Sequence, residues 1–202
     1  MRTWGTVRST TVLTAGLLLM STRAETADRQ IRPLVGVTFG GGTTFVDPES
    51  AVGTPNLAIG VSAVFLGEVF GAEVDVADAP GFFESGDKNL VHVSHVTTIS
   101  GNVIVAAPHR LTEYSLRPYF VGGAGLMRVG TTTAFSVFDV STVIAEVNAG
   151  VGAVAFLTNR IGVCWDIRRF QSVGTGTGTA GLSFGEERLS FWRAGMSVAI
   201  RY

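Results

Sequence analysis

The chain has 202 residues, 15% of them charged, a formal net charge of -1, 26 glycines and a single cysteine. Charge stands well below the usual figure of about 25%, and neither the balance nor any basic run suits a nucleic-acid partner. One cysteine excludes an intramolecular disulfide, so stability must come from packing and backbone pairing.

In chain order, Arg2 and Arg8 precede an apolar run from Val12 to Met20, followed by STRAE. That order is that of a secretory signal, predicted over residues 1–24 with cleavage after Ala24. The run is too short for a membrane anchor, since about 20 apolar residues are needed to span a bilayer as a helix. No cysteine near the cleavage site suggests a lipoprotein anchor. Residues 25–31 follow as a short lead-in, with Asp28 and Arg29.

From there the apolar residues recur at spacing two rather than at three and four, which predicts strands. Eight are expected, at 32–42, 56–66, 69–78, 89–106, 116–129, 142–157, 161–172 and 190–202. Parity assigns their faces. Val143, Ala145, Val147, Ala149 and Val151 form an apolar row opposite Glu146, Asn148 and Gly150. Ile161, Val163, Trp165 and Ile167 oppose Cys164, Asp166 and Arg168 in the same way, and Phe70, Ala72, Val74 and Val76 oppose Glu73 and Asp75. Several strands exceed ten residues, against about 5–6 in globular proteins.

The connections alternate in length. Gly67-Glu68 reads as a two-residue turn setting Phe65 beside Phe70, and Thr158-Asn159-Arg160 as a short loop. The connection at 107–115 carries Pro108. Loops at 43–55, 79–88, 130–141 and 173–189 are mostly longer, and GTGTGTAG at 174–181 reads as a flexible loop rather than a nucleotide site. Short turns at one end and long loops at the other are the pattern of bacterial transmembrane barrels. The last strand, FWRAGMSVAIRY, places Trp192, Ala194, Met196, Val198, Ile200 and Tyr202 on one face and Arg193, Ser197 and Arg201 on the other.

This terminal segment resembles the C-terminal signal of bacterial outer-membrane proteins, which the barrel-assembly machinery reads, with Trp192 and Tyr202 as its aromatics. LRPYFVGGAGLMRVG and NAGVGAVAFLTNRIGVCWDIRRF extend the likeness, so that residues 31–202 resemble the small OmpA/OmpX-type barrels. The resemblance implies an all-β, eight-stranded antiparallel up-and-down barrel over 32–202, resident in the outer membrane with both termini periplasmic. It implies a non-enzymatic structural or surface-interaction role without a cofactor, with outer-membrane lipids around the wall and an external ligand at the loops. The fifth strand departs from the pattern in being apolar on both faces, and no peptidoglycan-binding domain follows.

Parity turns Glu73, Asp75, Arg128, Glu146, Asp166, Arg168 and Arg193 inward. An eight-stranded barrel is just wide enough for side chains to fill, so these residues are expected to form a lumenal polar network; a narrow passive pore is the alternative. A second alternative lies in LVHVSHV. Pairing about the centre of loop 79–88 sets Asp75 opposite His92 and Glu73 opposite Ser94, a carboxylate, imidazole and hydroxyl grouping that can support hydrolysis of lipid A or phospholipid. The H-x-S piece resembles outer-membrane lipid A deacylases. In those enzymes Asn follows the serine, where this chain has His95, and the acid lies downstream. A metal at His92, His95 and His109 is disfavoured, because His92 and His95 lie on opposite faces and His109 in a turn at the other end. Cys164 is expected to pack inside. Arg169 is expected at the outer end of its strand, and Trp192, Tyr202, Tyr119 and Trp165 in aromatic girdles at the two interfaces.

Overall fold

The computed structural model describes residues 28–43, 55–82, 91–108, 112, 116–133, 139–178 and 189–202. Eight strands alternate in direction: β1 (Asp28–Thr43), β2 (Asn56–Leu66), β3 (Phe70–Pro80), β4 (Val91–Ala106), β5 (Leu116–Thr133), β6 (Asp139–Phe156), β7 (Ile161–Gly178) and β8 (Leu189–Arg201). Each pairs with its neighbours in sequence, and β1 pairs with β8, so the sheet is a closed barrel without an open edge. The expected signal segment lies outside the described residues. Four positions assigned to the lead-in, 28–31, belong to β1 instead, where Ile31 and Arg32 already alternate between the two faces.

Closure fixes the geometry. A row of register partners leaves β1 at Ile31 and runs through Ala63, Val74, Gly101, Ala124, Val147, Gln171 and Ser190. It returns to β1 at Gly42, beyond a bulge between Phe39 and Gly42. The stagger is therefore about ten residues, which for eight strands means a tilt of about 40°.

Two expected registers shift. Gly67 N–H donates to the Phe70 carbonyl at 2.8 Å, so the two-residue turn is Glu68-Val69, and Phe65 lies opposite Ala72 rather than Phe70. A type II′ turn with Gly67 at its first central position would need a positive φ there, and among the described residues the glycines with positive φ are Gly40 and Gly81. The shift is by two residues, so every side chain keeps its face. Between β3 and β4 the displacement is larger: Asp75 pairs with Ser100 and Glu73 with Asn102. The strands at the long-loop end also run further than expected, β7 continuing to Gly178 through the first half of the Gly/Thr run.

Burial alternates along the strands. The outward positions form an apolar belt: Phe70, Val74 and Val76 on β3, Leu116, Phe120 and Leu126 on β5, Trp165 and Ile167 on β7, Met196, Val198 and Ile200 on β8. Soluble monomers rarely expose an apolar surface on this scale, whereas a bilayer requires it and requires the closure that accompanies it. The belt ends in polar side chains, with Asp78, Thr97, Arg128 and Arg169 toward the long loops and Arg29, Glu68 and Arg160 toward the short turns.

Candidate functional site

The inward positions hold three layers. Toward the long loops is an apolar plug that includes Phe82, Met127, Ile144, Phe170, Leu189 and Phe191. Phe191 stacks on Phe170 at 5.1 Å and takes Phe82 edge-on at 5.0 Å. Phe82 reaches this position because Gly81, with φ of 73°, turns the chain back at the end of β3. Only glycine adopts that conformation without a steric penalty. Toward the short turns is a second apolar plug, containing Val64, Leu66, Ile104, Val154 and Ala199 with Phe156 against it.

Between the plugs lies a charged layer. Arg168 on β7 donates to both oxygens of Glu73 across the barrel on β3, at 2.7 and 3.1 Å, and its Nη2 also reaches Asp166 at 2.7 Å. Arg193 on β8 pairs with Asp75 at 2.8 Å, its guanidinium 4.8 Å from the centre of the Phe170 ring. Asn102 donates to Glu73 and accepts from Asn148, which lies beside Glu146. Tyr119 donates to Asp166 and contacts the sulfur of Cys164, which Arg32 approaches at 3.6 Å. These groups are buried, apart from the partly buried Asp166, and charges taken out of water survive only when paired and hydrogen-bonded. Bidentate geometry makes the Glu73–Arg168 pair the strongest contact of the set.

Room for this layer comes from glycines. A Cβ on Gly150 would fall 2.7 Å from Arg168 Cγ, and one on Gly152 would fall 2.6 Å from the Tyr119 hydroxyl. A narrow barrel can hold long polar side chains only where the register partner on the neighbouring strand has none.

The short-turn mouth is closed by two arginines. Arg117 donates to the carbonyls of Ala107 (2.8 Å), Gly67 (2.9 Å) and Glu68, clasping two turns together. Arg201 bonds Asp28 through both Nε and Nη2 and lies over the Phe156 ring, so the two ends of the chain's barrel meet in one ion pair. From Asp28 a hydrogen-bond relay climbs through Gln30 to Arg32.

Six of the seven residues expected inside are there: Glu73, Asp75, Glu146, Asp166, Arg168 and Arg193. Arg128 is not; it is exposed on the outer wall, opposite Thr97 and Val143. Residues 117 and 128 have opposite parity on β5, so a regular strand turns only one of these arginines inward, and it is Arg117. The same parity carries Tyr119 into the lumen and out of the girdle. Trp165 sits in mid-belt between Val163 and Ile167, whereas Trp192 and Tyr202 lie at opposite ends of the outward face of β8. Arg169 stands over Trp192 at 5.4 Å. Cys164 is buried. Arg32, Gln30, Asn102 and Asn148 complete the network; all but Gln30, which follows Arg29, alternate with uncharged, mostly apolar outward neighbours, and that was the signal that could have found them.

The grouping expected around His92 and Ser94 does not assemble at the backbone level. Asp75 and Glu73 face Ser100 and Asn102, while Ser94 pairs with Thr131 beyond the Pro80–His95 pair that ends the β3 ladder. Both carboxylates are committed to arginines instead. The side chains of His92 and Ser94, and all of His109, lie outside the described residues.

This architecture is that of the small eight-stranded outer-membrane barrels. Neisserial surface protein A superposes with a TM-score of 0.62 over 86% of this chain and 97% of its own, at 11% identity. Ail, the attachment invasion locus protein of Yersinia pestis, solved with the heparin analogue sucrose octasulfate, superposes with a TM-score of 0.51 over 86% of this chain and 99% of its own, at 9% identity. By sequence, the chain matches no protein-family profile and no curated protein.

Proposed function

We propose that this chain is an integral outer-membrane protein with a structural and surface-interaction role, whose lumen is a packed core rather than a conduit. The observation that carries this reading is the charged layer enclosed between two apolar plugs. A conduit needs a continuous wet path, and here Arg168, Glu73 and Arg193 bridge the section where it would run. With the interior given over to stability, interaction falls to the long loops, because loops on a rigid scaffold commonly carry binding. Ail's complex with a heparin analogue supports an external ligand. In this reading the outward face of β8, from Trp192 to Tyr202, serves the assembly machinery, both termini are periplasmic, and membrane lipids cover the belt.

Reconstitution into planar bilayers tests the claim about the lumen. The expected record is a flat baseline with no sustained conductance steps. Reproducible single-channel currents from the intact chain would replace this reading with that of a passive pore.

A further inference from the structure

Two inward glycines of β5 each lie in a register row between polar residues of β4 and β6: Asn102, Gly123 and Asn148 in one row, Ser100, Gly125 and Glu146 in the next. A Cβ on Gly125 would lie 2.9 Å from Glu146 Oε1, so the carboxylate rests over the strand where a side chain would otherwise stand. Asn148 Nδ2 donates to Asn102 Oδ1 at 2.9 Å and to Glu146 Oε1 at 3.4 Å. With the amide nitrogen committed to two acceptors, its oxygen is turned elsewhere, which also settles the amide orientation. Two oxygens, Glu146 Oε2 and Asn148 Oδ1, are left buried without a hydrogen-bond partner among the described residues, and the Ser100 hydroxyl lies against the Glu146 carboxylate with its lone pairs uncommitted.

Charge points the same way. The layer between the plugs holds Glu73, Asp75, Glu146 and Asp166 against Arg32, Arg168 and Arg193. Glu73 and Asp166 share Arg168, and Asp75 pairs with Arg193. Neither Glu146 nor Arg32 has an ion pair among the described residues, and four carboxylates against three guanidiniums leave the layer one negative charge in excess. An isolated buried carboxylate is costly to keep ionised.

We propose that Glu146, Ser100 and Asn148 bind one monovalent hard cation of the sodium class inside the barrel. One carboxylate, one hydroxyl and one amide oxygen form the hard-donor set that alkali and alkaline-earth cations take. A single positive charge neutralises the layer, whereas a divalent ion would overshoot it. Because both mouths are plugged, the ion enters as the strands close, and its occupancy stabilises the folded state by mass action.

The test uses the full-length barrel, refolded from urea into a non-ionic detergent at a series of sodium chloride concentrations, with choline chloride holding ionic strength constant. Its melting temperature is read by circular dichroism. The wild type should melt progressively higher as sodium replaces choline, by several degrees over the series. Glu146→Gln, which keeps the shape and removes the charge, should melt at the same temperature throughout. Ser100→Ala, which keeps the charge, should need more sodium for the same rise, and it carries the test if the first variant does not refold. A wild type indifferent to sodium would overturn the proposal, leaving Glu146 protonated or bridged by water to the free nitrogens of Arg193. An undiminished sodium response in both variants would overturn it as well.

Discussion

Arg168 shows how a single side chain joins distant parts of the wall. Its guanidinium ties β7 to β3 across the lumen, and it fits because Gly150 on β6 has no side chain to meet its Cγ. Removing one partner of such a pair leaves an uncompensated buried charge, costing about 3–5 kcal/mol, while removing both costs less than the sum of the two. In urea unfolding of the detergent-refolded barrel, Glu73→Gln and Arg168→Met should therefore each destabilise strongly, and the double variant should recover part of the loss. Strictly additive effects would deny the pair its place at the centre of the network. The acid half of that network is legible from parity alone, because Glu73, Asp75, Glu146 and Asp166 each interrupt an unbroken apolar alternation. The arginine half is less so. On β5 the outward face carries Phe120 and Leu126 and the inward face Tyr119, Val121 and Met127, so periodicity gives no preference between Arg117 and Arg128.

At the scale of the strand, faces follow from local chemistry and registers do not. Phe70, Val74 and Val76 alternate with Glu73 and Asp75 whatever β3 is paired with, and the structure keeps that alternation. Pairing β3 with β4 through Ser100 and Asn102 depends on how far each strand runs before the chain turns. β3 continues to Pro80 and β4 begins at Val91, so the ladder is not centred on the connection as its composition suggested. No residue within a long Gly/Ser/Asp-rich loop marks that asymmetry, and a register displaced there dissolves the grouping proposed around His92. The outward faces make a prediction of their own. Val74→Arg places a charge in the middle of the belt, and a lipid-facing arginine near the bilayer midplane costs about 2–4 kcal/mol. Folding titrations in lipid vesicles should show that loss, and Arg29, already at the belt's edge, should be replaceable by Ala with little effect. Equal tolerance at both positions would mean that the belt does not face lipid.

As a whole molecule, the barrel rests on closure and filling. Closure was foreseeable from an even strand number and a terminal strand with one apolar face, and it is made by the β1–β8 ladder and the Asp28–Arg201 pair. Filling follows from it: at a stagger of about ten the lumen is narrow, and tyrosine, arginine and phenylalanine side chains occupy it beside glycines on the neighbouring strands. The most direct measurement is electrophoretic mobility in SDS of the membrane-extracted chain, comparing unheated with boiled samples. A closed, internally bonded barrel should resist the detergent until heated and migrate differently in the two lanes, with β-rich circular dichroism before heating. Identical mobility, together with recovery of the chain in solution without detergent, would contradict the transmembrane barrel and the orientation assigned to every side chain on its wall.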